Sequence, residues 1–213
     1  SGNRVTQTTR LNCNNGSLRT NYTYDAYGNV KETKLSSPSL SRGITEKYVY
    51  SNGRFVTASY DSRDLAEYYA YGSDKSLSYV RSRSGLLTRY LYDGYGRISQ
   101  VYADENGNGV NDTETEHGLR YTYTNGTDRI ATLEANHTNT SDWLEYIFLY
   151  DSRGRLSRVG YYAMTETITQ YGYDDRNNLT STTLGNGYQM RQFYATDTGW
   201  LTAKGDATSN PFY

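Results

Sequence analysis

Apolar and polar residues alternate along most of the chain, and a period of two is typical of β-strands. A representative segment is Leu179-Thr180-Ser181-Thr182-Thr183, in which an aliphatic residue opens a run of hydroxyl residues. A sustained period of 3.6 residues is absent from the sequence. The range Asp128–Trp143 is the one candidate for a short helix, but its Asn and Thr residues favour a long loop. The pattern therefore predicts an all-β protein built from antiparallel strands.

The return strand of each predicted hairpin ends in two aromatic residues with one residue between them. Two residues apart, both rings lie on the same face of a sheet, where rings on neighbouring strands can pack against one another. These pairs are Tyr22/Tyr24, Tyr48/Tyr50, Tyr69/Tyr71, Tyr90/Tyr92, Tyr121/Tyr123, Phe148/Tyr150 and Tyr171/Tyr173.

One turn motif recurs, reading tyrosine, aspartate, two variable residues, glycine, then arginine or asparagine and an aliphatic residue. The aspartate can accept hydrogen bonds from the backbone that follows, and glycine takes the positive φ of a tight turn. The strong copies contain Tyr24, Asp25 and Gly28; Tyr92, Asp93 and Gly96; Tyr150, Asp151 and Gly154; and Tyr173 and Asp174, with Asn177 in place of glycine. Weaker copies follow Tyr50, Tyr71, Tyr123 and Tyr194, the first of them read as Gly53-Arg54-Phe55.

These turns recur at the interval expected for one hairpin and its connection. The turn residues at 28, 53, 72, 96, 126, 154, 177 and 199 are separated by 19 to 30 residues. The repeat predicts a strip of consecutive β-hairpins, with residues 1–21 as a lead-in strand or partial repeat. Residues 22–213 are then an array of about eight units that is truncated at its C-terminal end.

Composition narrows the function classes. The 213 residues include 25 Tyr and carry a net charge of −1, so tyrosine supplies much of the buriable surface and a basic nucleic-acid interface is not expected. No apolar run reaches the length of a membrane helix, and no signal peptide opens the sequence. The lone Cys13 cannot form an internal disulfide or supply a zinc site.

The tyrosine–aspartate turns and their spacing resemble the YD-repeat, or Rhs-repeat, family, which includes bacterial Rhs proteins, the B and C components of insecticidal ABC toxin complexes, and teneurins. The resemblance covers about Tyr22 to the C-terminus and includes Leu184-Gly185-Asn186-Gly187-Tyr188 before Tyr194. It implies a curved or spiralling strip that forms part of a hollow shell, in a secreted or cell-surface protein. The family's self-cleaving, Asp-Pro-rich segment is not matched, because the prolines are Pro38 and Pro211. No protease residue is therefore assigned.

Three functions remain open at this stage. The resemblance favours a non-catalytic segment that encloses or scaffolds a toxin or adhesin, with the rest of the polypeptide or a partner shell chain as its partner. Exposed tyrosines could instead bind a carbohydrate or a cell-surface partner. A polysaccharide lyase using a tyrosine with His117 or His137 is a more remote alternative. Open sheet edges also predict self-association.

The segment from Asp104 to Glu116 resembles a calcium-binding loop. Oxygen-bearing side chains recur at alternate positions, with glycine at the sixth, as in an EF-hand loop. The candidate ligands are Asp104, Asn106, Asn108, the Val110 carbonyl, Asp112 and Glu116. An Asn- and Gly-rich hairpin turn that needs no ion is the alternative.

Overall fold

The computed structural model describes residues 4–13, 16–38, 43–109, 117–136, 143–161, 165–206 and 211–212. These residues form strands and turns, and they include no helix of the length and hydropathy of a membrane span. The all-β prediction is confirmed.

The chain divides into two compact units, residues 1–91 with 103–110, and residues 92–102 with 111–213. Strands of the first unit are β1 Gln7–Cys13, β2 Gly16–Tyr24, β3 Val30–Ser36, β4 Ile44–Ser51, β5 Phe55–Tyr60, β6 Ala66–Tyr71, β7 Leu77–Arg81 and β8 Leu87–Tyr92. Each of these strands pairs antiparallel with its neighbours in the sequence.

The second unit repeats this arrangement. Its strands are β9 Ile98–Asp104, β10 Gly118–Tyr123, β11 Ile130–Asn136, β12 Trp143–Tyr150, β13 Leu156–Tyr161, β14 Glu166–Tyr173, β15 Leu179–Leu184, β16 Gln189–Tyr194, β17 Leu201–Asp206 and β18 Pro211–Phe212. Consecutive strands again pair antiparallel, so the predicted series of hairpins is confirmed. The prediction of a long loop over Asp128–Trp143 is wrong, because β11 spans Ile130–Asn136 and pairs with both β10 and β12.

Most hairpin turns share one geometry. In the turn after β8, the Asp93 N–H donates to the Arg97 carbonyl at 2.8 Å, and the Gly96 N–H donates to the Asp93 carbonyl at 3.0 Å. Gly96 has a φ of 79°, which glycine adopts without steric cost. At the equivalent position of the turn after Tyr71, Lys75 has a φ of 73°.

Seven of the tyrosines that begin a turn lie at a β-bulge. Leu149 pairs with Arg158 but Tyr150 pairs with Leu156, so Ser157 is an additional residue in its strand. The Ser157 hydroxyl donates to the Leu149 carbonyl at 3.1 Å. The same register shift occurs at Tyr24, Tyr50, Tyr71, Tyr123, Tyr173 and Tyr194. A bulge bends a strand locally, so each unit repeats the same bend beside its turn.

The aromatic pairs lie on one face, as the period of two predicts. The residue between the two aromatics is exposed at Val49, Leu91 and Leu149, whereas the flanking tyrosines are half-buried. Apolar residues buried beyond nine-tenths are few among the described residues, namely Ala58, Leu87 and Tyr102. Pairing between strands therefore organises the fold more than a deep core does.

Candidate functional site

The most regular feature of both units is a series of tyrosine hydroxyl groups that join one turn to the previous one. The Tyr150 hydroxyl donates to the Ile130 carbonyl at 2.9 Å, and Ile130 is the aliphatic residue that follows the preceding turn. Equivalent bonds join Tyr24 to Val5, Tyr50 to Val30, Tyr71 to Val56, Tyr123 to Ile98, Tyr173 to Leu156 and Tyr194 to Leu179. The recurring tyrosine thus supplies a donor to a backbone carbonyl beside the previous turn.

The aspartate that follows this tyrosine holds the turn together. In Asp151, Oδ1 accepts the N–H groups of Arg153 and Arg155, both at 2.9 Å, while Oδ2 accepts from Arg155 Nε at 2.7 Å. These bonds stabilise the ionised carboxylate and lower the pKa of Asp151, the backbone bond from Arg155 contributing most. Asp25, Asp93 and Asp174 make the same set of bonds, and their pKa values are lowered too, chiefly by the side chain four residues on.

The residue directly before the aliphatic residue reaches the next turn, and we call it the bridging residue. Arg155 donates from Nη1 to the Asp174 carbonyl at 3.0 Å and to Asn177 Oδ1 at 2.9 Å, while its guanidinium lies 4.5 Å from the centre of the Tyr173 ring. Arg97 likewise donates to the Thr127 carbonyl and lies 4.1 Å from the Tyr123 ring centre. A bridging arginine therefore joins two successive turns and covers the tyrosine between them.

In the first unit Arg4, directly before Val5, lies 5.5 Å from the Tyr24 ring centre, but the next two bridging positions hold other residues. Asn29 donates to the Gly53 carbonyl at 2.8 Å but is too short to cover a ring. In the next turn the bridging residue is Phe55, whose ring centre lies 4.9 Å from that of Tyr71. The sequence aligned Arg54 and Phe55 with the arginine and aliphatic positions of the motif, and this alignment is wrong by one position, because the Tyr71 hydroxyl bonds to the Val56 carbonyl and Tyr50 pairs with Val56. The turn has the same length as the one after Tyr150, but its positive φ values fall at Asn52 and Gly53, one position earlier than at Gly154.

Among the described residues, every resolved pKa shift moves away from neutrality. The carboxyl groups shift downward; in Asp61 the hydrogen bond from Arg63 lowers the pKa to about 2. Burial raises the pKa values of the turn tyrosines Tyr50, Tyr123, Tyr150 and Tyr173, and a hydrogen bond to Glu46 raises the pKa of Tyr48 to about 12. Such groups are suited to holding turns rather than to exchanging protons near neutral pH.

The predicted calcium ligands are only partly within the described residues. Asp104 is buried at the end of β9, where Oδ2 accepts from Arg89 Nε and from the Gly109 N–H, and Oδ1 has no donor among the described residues. Burial raises its pKa, but the bonds and charge of Arg89 outweigh this effect, and the pKa is lowered. Asn106 Oδ1 accepts from the Asn108 N–H at 2.9 Å. Val110, Asp112 and Glu116 lie outside the described residues, so the calcium site stays a prediction.

The histidine hypothesis gains no support from the geometry. His117 directly precedes β10, and His137 lies outside the described residues. Within the described ranges, no three His, Cys, Asp or Glu side chains are grouped as metal ligands.

Comparison with known proteins agrees with this geometry. Residues 150–189 match the model of the RHS Repeat family, and they include the turns at Tyr150 and Tyr173. The chain carries an Rhs repeat. The resemblance to the YD/Rhs-repeat family is thereby confirmed. No curated protein matches the chain.

Solved structures share the fold along nearly the whole chain. The crystal structure of TcdB2-TccC3-TEV is similar with a TM-score of 0.68 at 12% identity, covering 98% of this chain. The structure of the Photorhabdus luminescens Tc holotoxin pore, with a substitution in TccC3, is similar with the same TM-score at 13% identity, covering 100% of this chain. The chain spans 13% of the length of each of those two chains.

Sequence reasoning found the tyrosines and aspartates of this site but missed the role of the bridging residue. The four-residue spacing from Asp93 to Arg97 and from Asp151 to Arg155 was the available signal, because it places a cation beside the carboxylate within one turn. That the same guanidinium also reaches the next turn depends on the bulge, which the sequence does not mark.

Proposed function

We propose that the chain is a non-catalytic structural segment of a YD/Rhs-repeat shell, in a secreted or cell-surface bacterial protein that encloses or scaffolds a toxin or adhesin. The observation that carries this proposal is the repeated contact from each turn tyrosine to the carbonyl of the previous turn. The fold similarity to the TcdB2-TccC3-TEV structure, along 98% of the chain, supports it.

The contacts explain how such a segment can extend. Where the motif is complete, as in the turn after Tyr150, a hairpin meets its neighbours through three groups, namely a tyrosine hydroxyl, an aspartate that holds the turn, and a bridging residue. Because backbone groups are satisfied by strand pairing and by these bonds, stability does not require a deep core. A wall built this way isolates its contents by steric exclusion, without chemistry of its own.

The electrostatics of the site also support a structural role. Acid–base catalysis near neutral pH needs a group whose pKa lies close to that range. The resolved shifts move the aspartates lower and the tyrosines higher, which strengthens their hydrogen bonds in one fixed protonation state.

Protease protection in the full polypeptide tests this proposal. Limited proteolysis should leave both this segment and any enclosed domain intact. Arg155→Ala together with Arg97→Ala should make the enclosed domain sensitive, because both variants remove bonds between successive turns. Arg63→Ala is the matched control, since its exposed side chain bonds to Asp61 of its own turn. Equal sensitivity of the enclosed domain in all variants would contradict the enclosing role.

Edge strands suggest where a partner chain pairs. Among the described residues, β1 pairs with β2 alone, and the Tyr22 N–H donates to the Thr6 carbonyl. Alternation along a strand then directs the N–H of Thr9 away from β2. Thr9→Pro should abolish concentration-dependent association in light scattering, whereas Thr9→Ala should preserve it. Association that is equally strong in both variants would exclude this edge.

A further inference from the structure

The largest cavity described in the first unit lies between the turn after β4 and the turn after β6. Its volume is about 560 Å³, which is in the range of small-ligand pockets. It is lined by aromatic, cationic and hydroxyl side chains, among them Ser51, Arg54, Phe55, Tyr69, Tyr71 and Lys75.

The cavity is open because the bridging residue here is Phe55. At the corresponding place in the second unit, Arg155 lies over Tyr173 and donates to the next turn. Phe55 packs against Tyr71 but has no donor to bond with the next turn. Ser51 also replaces the aspartate that would hold a bridging cation. The groove that an arginine fills elsewhere is therefore left free, with an aromatic floor.

Two cations border this groove without acidic partners. The side chains of Arg54 and Lys75 are exposed, and among the described residues neither forms an ion pair or a hydrogen bond. The nearest carboxylates are already engaged: Asp74 accepts from the hydroxyl and N–H of Ser76, and Glu67 accepts from the Tyr69 hydroxyl.

Lys75 is also strained. Its φ of 73° lies in the region that glycine occupies in the turns at Gly96 and Gly154, and such strain in a residue with a Cβ is often retained at functional sites. Glycine would adopt this φ without steric cost, so the lysine places a cation beside the cavity at some cost to the fold.

We propose that this cavity binds a hexuronate unit of an acidic polysaccharide. The carboxylate would lie between Arg54 and Lys75, and the C–H face of the pyranose ring would lie on Phe55 and Tyr71. A sugar is favoured over an acidic peptide because the hydroxyl-bearing Ser51 lines the cavity beside the aromatic rings, which suits a ligand with alternating C–H and O–H groups. This site is independent of the proposed shell role.

Calorimetric titration of the chain with digalacturonate tests the site. Binding is expected in the millimolar range or tighter, with at least tenfold weaker binding of the methyl-esterified disaccharide, which has the same rings but no charge. Glutamate serves as the carboxylate without a sugar ring. Lys75→Gly and Arg54→Gln should each weaken digalacturonate binding at least tenfold. Because glycine relieves the positive φ, Lys75→Gly should raise the melting temperature, which separates lost binding from lost folding.

Two further variants complete the test. Phe55→Leu keeps the apolar volume but removes the aromatic face, and should weaken binding severalfold. Lys31→Gln changes a cation beside a neighbouring, smaller cavity and should leave binding unchanged. Glutamate binding as tightly as digalacturonate would overturn the sugar assignment, as would equal affinity of the esterified disaccharide. No binding of digalacturonate at millimolar concentration, or full affinity in Lys75→Gly, would overturn the site.

Discussion

The two units build the same turns with different bridging residues. In the second unit Arg97, Arg129 and Arg155 each lie over the tyrosine of the next turn, at 4.1, 5.8 and 4.5 Å from the ring centre. In the first unit Arg4 lies over Tyr24 at 5.5 Å, but Asn29 and Phe55 occupy the next two bridging positions. Tyr50 and Tyr71 nevertheless keep their bonds to the previous turn.

This difference shows which contacts every repeat keeps and which position can change from one repeat to the next. The tyrosine hydroxyl and its carbonyl acceptor are present in both units, whereas the bridging residue changes from a donor that closes the groove to residues that leave space. In the first unit the larger cavity lies beside Phe55 and a smaller one lies between the turn that contains Asp25 and the turn at Gly53, and in the second unit a cavity borders Asn178. Variation at this position can therefore alter the surface of the strip without changing its fold.

Acid should have the largest effect, because it acts on all the turns that depend on an aspartate. Asp25, Asp93, Asp151 and Asp174 have lowered pKa values in the fold. Because the pKa of each aspartate is lower in the folded chain than in the unfolded chain, the ionised carboxylates stabilise the fold. This contribution is fully present above the unfolded pKa of about 3.9 and is lost as the pH falls through the folded pKa. Urea denaturation should show a decline from about pH 4 downward. An equal free energy of unfolding at about pH 6 and at about pH 2 would contradict the stabilising role of these carboxylates.

Removing a bridging arginine should be the most damaging single change. Arg155→Ala removes its bonds to Asp151, the Asp174 carbonyl and Asn177. Because these bonds are charge-assisted, the variant should lower the free energy of unfolding by about 2–3 kcal/mol, as measured by urea denaturation. Arg63→Ala, whose exposed side chain bonds to Asp61 of its own turn, should change it by less than about 1 kcal/mol. Equal losses in the two variants would show that the bridge contributes little.

The glycine that contacts a bridging arginine should tolerate no side chain. Gly154 has a φ of 77°, and a Cβ there would collide with the Arg129 guanidinium. Gly154→Ala should cost about 1–2 kcal/mol for the left-handed conformation, plus a term for displacing the arginine. Gly96→Ala shares the positive φ but meets no neighbour, so the difference between the variants measures the arginine contact. No difference would mean that Arg129 moves aside freely.

A single tyrosine hydroxyl should have a smaller effect. Tyr173→Phe leaves the Leu156 carbonyl without its donor at 2.8 Å, and should cost about 0.5–1.5 kcal/mol in urea denaturation. Tyr188→Phe, at an exposed position, should stay within about 0.5 kcal/mol of the parent. If the two variants behaved alike, the bond between turns would not explain why tyrosine recurs.

The sequence was sufficient for the strands and most turns, because their signals are local. Alternation marked the strands, and the aspartate-to-glycine spacing marked turns such as Asp93 to Gly96. The position of Val56 could not be predicted, since the glycine that marks the turn, Gly53, lies one position earlier than in the other turns, and the partner Tyr71 lies 15 residues away. Strand β11 was missed because its Glu134 and Asn136 weaken the apolar pattern, while pairing on both sides stabilises it.

Calcium should produce the smallest effect. The loop that contains Asp104 differs from the other turns, because its aspartate bonds to Arg89, an arginine of another strand. If the loop binds calcium with a Kd of about 10⁻⁴–10⁻³ M, millimolar calcium should stabilise the chain by roughly 0.4–1.4 kcal/mol. Thermal melts with calcium and with EGTA measure this shift. Asp104→Ala should abolish the calcium-dependent shift, but it also breaks the ion pair with Arg89. Asn106→Ala is the cleaner variant, because it removes a candidate ligand and leaves that ion pair intact. Identical melts of the parent chain in calcium and in EGTA would identify the segment as a hairpin turn that needs no ion, held by Arg89 alone.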